Sequence, residues 1–227
     1  MEVAAMRPSL SAALALALTT ALAAPAAHAT TWDAAALAAI PTSTVGAAHY
    51  FSDDGSELIL SVIQDRTGDG SMGSSSAPGH QGLWLGQDGL SSRYLVLFNL
   101  PITRLSMSFV GLTAAGGQAE RLTAFDVIAP PPFTISFDSP DGSASYAGGD
   151  VLALGADGKG RLDFVPATPV TLSGIAFTHD QPAALGGFVI TRVEVSPVPE
   201  PAGAAAWLCG IASLGASSRW RRRSVAR

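Results

Sequence analysis

Beyond Glu57 the chain breaks into short runs rich in β-branched and aromatic residues: ELILSVI, RYLVLFNL, RLSMSFV, RLTAFDVI, FTISF, RLDFV, VTLSGIAF and GFVITRVEV. Most are closed by Gly, Pro, Asp or Ser, and a short β-forming run between turn residues is a strand signal. In the third run Leu105, Met107 and Phe109 alternate with Arg104, Ser106 and Ser108. A period of two sends the first three side chains to one face and the other three to the opposite face, as in a strand that lies on a core. No 3.6-residue period persists long enough for helices to build that core. The pattern predicts an all-β fold, an antiparallel β-sandwich of jelly-roll kind, with a β-barrel as the alternative. One short helix is expected ahead of the strands, in TWDAAALAAIP, with Thr30 or Thr31 as cap and Pro41 as stop.

This core has to hold without covalent help. Cys209 is the only cysteine and lies in an apolar run near the C-terminus, so the body can form no internal disulfide. A body of about 170 residues buries roughly 70% of its unfolded surface, which is enough for a self-sufficient core. Between Thr30 and Val198 seven basic residues stand against sixteen acidic ones, a net of −9. Phosphate binding needs clustered Lys and Arg, so a body of this charge argues against nucleic acid as partner.

Motifs that carry chemistry are sparse in the body. H-E-x-x-H, G-x-S-x-G, P-loop and G-x-G-x-x-G patterns are all absent. GADGKG (155–160) lacks the spacing of a phosphate loop and reads as the turn of a hairpin. His49, His80 and His179 are too scattered to announce a metal site. No catalytic residue is assigned. A long loop is expected from Gln64 to Ser92, and in it Asp65, Thr67 and Asp69 alternate ahead of Gly70. This imitates the opening of a calcium loop, in which alternate positions turn hard oxygens inward. Ser76 stands where the closing bidentate Glu belongs, so a plain polar turn is the competing reading. Trp84 and Tyr94 are candidates for stacking on a sugar ring, since each joins an apolar face to a polar tip. The competing reading makes Leu83-Trp84-Leu85 a short strand with Trp84 in the core.

The two ends have a different character from the body. Residues 1–29 carry Arg7, a short apolar stretch, Pro25 and then Ala27-His28-Ala29. Small residues at Ala27 and Ala29 are what a signal peptidase reads, so cleavage is expected after Ala29. At the other end, residues 202–218 form an uncharged run at the short limit for a membrane-spanning helix. Pro199-Glu200-Pro201 precedes the run, and Arg219, Arg221, Arg222 and Arg223 follow it. With an export signal in front, these arginines would stay in the cytoplasm, as the positive-inside rule requires.

Triplet, span and basic end, in that order, resemble the PEP-CTERM sorting signal of exported bacterial proteins. The resemblance is confined to about the last thirty residues, 197–227. It implies recognition by an exosortase, a multi-pass membrane enzyme thought to cut near the triplet, often in bacteria that make exopolysaccharide. Thr191 and Arg192 stand where some members of the family carry an acidic pair. The domain organisation expected is therefore a signal peptide at 1–29, a β-sandwich at 30–196 and a sorting segment at 197–227. The function expected is that of a surface or matrix protein whose body is structural, adhesive or carbohydrate-binding. A secreted polysaccharide hydrolase using paired carboxylates and a permanently anchored envelope protein are the alternatives.

Overall fold

The computed structural model describes residues 29–39, 47–51, 57–65, 71–76, 79–86, 91–128, 133–166, 171–181 and 186–197. All lie within residues 28–198, which form one compact unit. The expected span at 202–218 and the sorting residues Pro199, Glu200, Pro201, Arg219 and Arg221 to Arg223 fall outside the described residues. Among the described residues no helix is long and apolar enough to cross a membrane.

The elements in chain order are β1 (Thr30–Trp32), α1 (Ala34–Ala39), β2 (Ala47–Phe51), β3 (Ile59–Asp65), β4 (Ser71–Ser75), β5 (Gly82–Gly86) and β6 (Ser92–Leu112). There follow β7 (Ala114–Ala115), β8 (Gln118–Ala119), β9 (Arg121–Val127), β10 (Phe133–Asp138) and β11 (Ala144–Ala147). The last four are β12 (Asp150–Ala153), β13 (Gly158–Pro166), β14 (Leu172–Asp180) and β15 (Phe188–Pro197). The ladders among them are antiparallel, so the all-β expectation holds.

β6 organises the fold. Its first half pairs with β3 on one side and β14 on the other, in the order β2-β3-β6-β14-β9-β12-β11. Its second half pairs with β13 and β15, in the order β10-β13-β6-β15, with β5 and then β4 beyond β15. The handover falls at residues 99–101. There Asn99 replaces the missing ladder with its side chain, Oδ1 accepting from the Ile59 amide at 2.6 Å and Nδ2 donating to the Glu57 carbonyl at 2.8 Å. Pro101 sits just past it, where no strand needs its missing N–H. RYLVLFNL and RLSMSFV, expected as two strands, are thus one strand with a change of partners in the middle.

The alternation read in the sequence sets the core. Leu105, Met107 and Phe109 are buried, as are Tyr94, Val96 and Phe98 in the first half of β6. Ring contacts link the two arrays: Phe125 of β9 with Phe164 of β13 at 5.9 Å, Phe177 of β14 with Phe188 of β15 at 6.1 Å, and Trp32 of β1 with Phe98 at 6.1 Å. Such tilted pairs contribute about 0.5–1.5 kcal/mol each beyond the area they bury.

Three local expectations are corrected. The helix is capped by Asp33, whose Oδ1 accepts from the Ala36 amide at 2.9 Å, while Thr30 and Thr31 belong to β1. The stretch expected as a long loop between Gln64 and Ser92 contains β4 and β5. GADGKG is a turn but not a hairpin: it leads from β12, paired with β9 and β11, into β13, paired with β6 and β10.

Candidate functional site

The residues singled out from the sequence do not converge. Asp65 is the last residue of β3, opposite Arg93 of β6, while Thr67 and Asp69 lie outside the described residues. Among the described residues no three His, Cys, Asp or Glu come together to hold a metal ion. His49 meets the Ser61 hydroxyl at 3.0 Å, and His80 meets the Asp157 carboxylate at 3.0 Å. Lys159 of GADGKG is tied to Asp141 at 2.8 Å. That contact raises the lysine's proton affinity and, with hydrogen bonds from Ser143, holds the Asp141 carboxyl well below the usual range.

Tyr94 is no stacking residue. It is fully buried, its ring 5.9 Å from that of Phe177, and burial pushes its hydroxyl up to about 12 against hydrogen bonds with Ser92 and Gly86. Position two of the alternation in β6 decided this, because Tyr94 shares a face with Val96 and Phe98. Trp84 falls between its two readings. Leu83 and Leu85 point into the core, and the half-buried Trp84 takes the other face of β5. Its ring borders Gly73 of the edge strand β4, and its Nε1 donates to the Gly186 carbonyl at 2.8 Å.

What the fold does assemble is a polar grid on the outer face of the second array. Directly opposed residues of antiparallel strands share a face, so the register can be read across five strands. One row runs Ser136, Asp163, Ser106, Glu194, Thr31 over β10, β13, β6, β15 and β1. The next runs Asp138, Arg161, Ser108, Arg192. Arg104, opposite Ser196, extends the grid on its other side.

Asp163 is the hub. It accepts hydrogen bonds from the Ser106 hydroxyl, from Arg104 at 2.9 Å and from Arg161 at 3.2 and 3.3 Å. Burial opposes its charge, but these donors together outweigh burial and hold the carboxyl below its ordinary value. Glu194 lies 3.8 Å from Arg161 and 3.5 Å from Arg192. Ser106, on the outer face as its alternation requires, is nevertheless buried, because Arg161 bonds its hydroxyl at 2.9 Å and Asp163 lies over it. Arg104 and Arg192 remain half exposed. A guanidinium carries five N–H donors in a fixed fork, so both can hydrogen-bond a second, external acceptor.

Sequence reasoning found the outward direction of Arg104, Ser106 and Ser108 but not this constellation. Its members come from β6, β13 and β15, and only the register brings them into rows. A second, internal ensemble was also missed. Glu120, fully buried, accepts from the Thr113 amide at 2.7 Å and the Gly187 amide at 3.0 Å, with His179 Nε2 at 3.6 Å. It holds the base of the β7–β8 hairpin against the start of β15.

No family model, no curated protein and no solved structure matches the chain.

Proposed function

We propose that this chain is an exported bacterial surface or matrix protein, non-enzymatic, whose body is a β-sandwich that adheres to oxygen-rich polymers such as exopolysaccharide. Export rests on Arg7, the apolar stretch after it and the Ala27/Ala29 pair. Sorting rests on Pro199-Glu200-Pro201, the run at 202–218 and the arginines at 219 and 221–223, which together make an exosortase-type membrane enzyme the processing partner. The sandwich reading is supported by the ring contacts between the two arrays that share β6, including Phe137 of β10 with Tyr146 of β11 at 6.0 Å.

One observation carries the binding half of the proposal. Three of the seven basic residues of an otherwise acidic body, Arg104, Arg161 and Arg192, stand together on one sheet face. Interleaved with Ser106, Ser108, Asp163 and Glu194 they offer donors and acceptors about 4.8 Å apart along each row, the spacing of neighbouring strands, in rows about 7 Å apart, two residues of strand rise. Hydroxyl and carboxylate groups along a polysaccharide can bridge such rows, and Arg forks favour bidentate acceptors.

The test is a panel of neutral and acidic polysaccharides presented to the wild-type protein and to an Arg104→Ala/Arg192→Ala double variant. Both arginines are half exposed, so the variant should keep its melting temperature within a few degrees. Retention of a bound glycan should fall about tenfold or more, equivalent to about 1.4 kcal/mol. Equal retention by both proteins would rule out this face, and release of shortened chains would favour the hydrolase reading. Sorting is tested separately: a tagged full-length chain should lose its C-terminal mass only in cells that contain the processing enzyme.

A further inference from the structure

The last strand of the body is finished by its first. β15 pairs with β6 on one side, while its other side is shared, β5 covering residues 188–190 and β1 covering residues 193–195. Thr30 lies opposite Val195 and is 4% exposed; Trp32 lies opposite Val193 and is 1% exposed, its Nε1 donating to the Phe51 carbonyl at 3.2 Å. Ala29, one residue earlier, is exposed and outside the strand. The bond expected to be cut by signal peptidase, Ala29–Thr30, therefore sits at the rim of the fold with its downstream side locked in a ladder.

Proteolytic cleavage needs an exposed, locally unfolded segment, and residues held in a buried ladder are cut only from an opened state. Thr30 to Trp32 cannot be extended in an enzyme groove and paired with β15 at once. We propose that β1 is a closing strand that hides its own processing site: the leader is removed while residues 29–32 are still unpaired, and the docking of β1 on β15 ends that window. The proposal rests on the export-signal reading. The topology supplies the delay. Residues 30–32 are made and exported early, while their partners at 193–195 come last, so pairing has to wait for almost the whole body. The step itself is simple hydrolysis, in which water adds across the Ala29–Thr30 amide to leave a carboxylate on Ala29 and an ammonium on Thr30.

The experiment uses the full-length precursor, unfolded in denaturant, diluted into native buffer and given signal peptidase in detergent after increasing delays. N-terminal sequencing and mass report the cut. The cut fraction should be high at short delay and should fall as the chain folds, the folded precursor being cut at least about tenfold more slowly. Val195→Asp, which removes the buried residue facing Thr30 without altering the cleavage sequence, should stay cleavable at every delay. Circular dichroism checks that this variant folds, and Trp32→Ala, which loosens β1 without touching β15, gives the same reading if it does not. Equal cutting of folded and freshly diluted wild type would overturn the closing-strand proposal. Absence of cutting at every delay would instead remove the export-signal reading beneath it.

Discussion

Asp163 shows how a surface carboxylate becomes structural. Its bonds to Ser106, Arg104 and Arg161 hold its carboxyl below the ordinary value, and linkage turns that shift into a pH dependence with a definite sign. A carboxylate with a depressed folded-state pKa stabilises the fold above its unfolded value, near 3.9 for aspartate, and loses that contribution as pH falls through the folded value. Asp163→Asn should accordingly cost about 1.5–3 kcal/mol at pH 7, the range for hydrogen bonds to a charged group. The gap between wild type and variant should stay flat above about pH 5 and close below about pH 4. Urea denaturation at a series of pH values measures it, and a gap that widened in acid would contradict the assignment. Nothing in the local sequence RLDFV announces this role. Asp163 reads there as one polar residue of a strand, and its donors lie on β6, at Arg104 and Ser106, as well as on its own strand at Arg161.

The individual strands were more legible than their pairing. RLSMSFV, FTISF and RLDFV became strand with the alternation or the bounds the sequence carries, because period two is a local property. Partner choice is not local. The merging of two runs into β6 hinges on Asn99, whose side chain stands in for a strand, and the crossing at GADGKG depends on which ladder β13 joins. β4 escaped because its Ser- and Gly-rich run has the composition of a loop. β5 was legible only as the short strand Leu83-Trp84-Leu85, because Gly82 and Gly86 at its ends read as turn residues, yet these two glycines admit the backbone of β15 and Gly187 closely. β14 carries a further case of the same kind. Gly174 stands at a register shift opposite Leu97 with φ +157°, and a methyl group there would run into the Val96 carbonyl of β6. Backbone cannot yield as a side-chain tip can, so Gly174→Ala should destabilise the protein by about 2–4 kcal/mol, overpacking added to backbone strain. Gly155→Ala, in an open turn, should cost less than about 1 kcal/mol and serves as the control in the same thermal melt.

At the level of the assembled body, β6 makes the two arrays a single cooperative object. β3, β13, β14 and β15 all pair with it, so β6 cannot leave one array while the other stays intact. The closure by β1 and β15 joins the two ends of the body and makes its pairing strongly non-local. Two consequences follow, one at equilibrium and one in kinetics. Phe109, buried in the second half of β6, touches the rings of both Phe137 and Phe188, so Phe109→Ala should destabilise by about 3–5 kcal/mol. That loss should appear in one transition, with tryptophan fluorescence and far-ultraviolet circular dichroism moving together, rather than as selective melting of the second array. Refolding should be slow, in milliseconds to seconds, since distant strands must meet before their contacts stabilise anything. Reductant should change neither result, because residues 30–198 contain no cysteine. Separate midpoints for the two probes would mean that the arrays unfold independently, and that β6 is a linker between two units rather than the common spine of one.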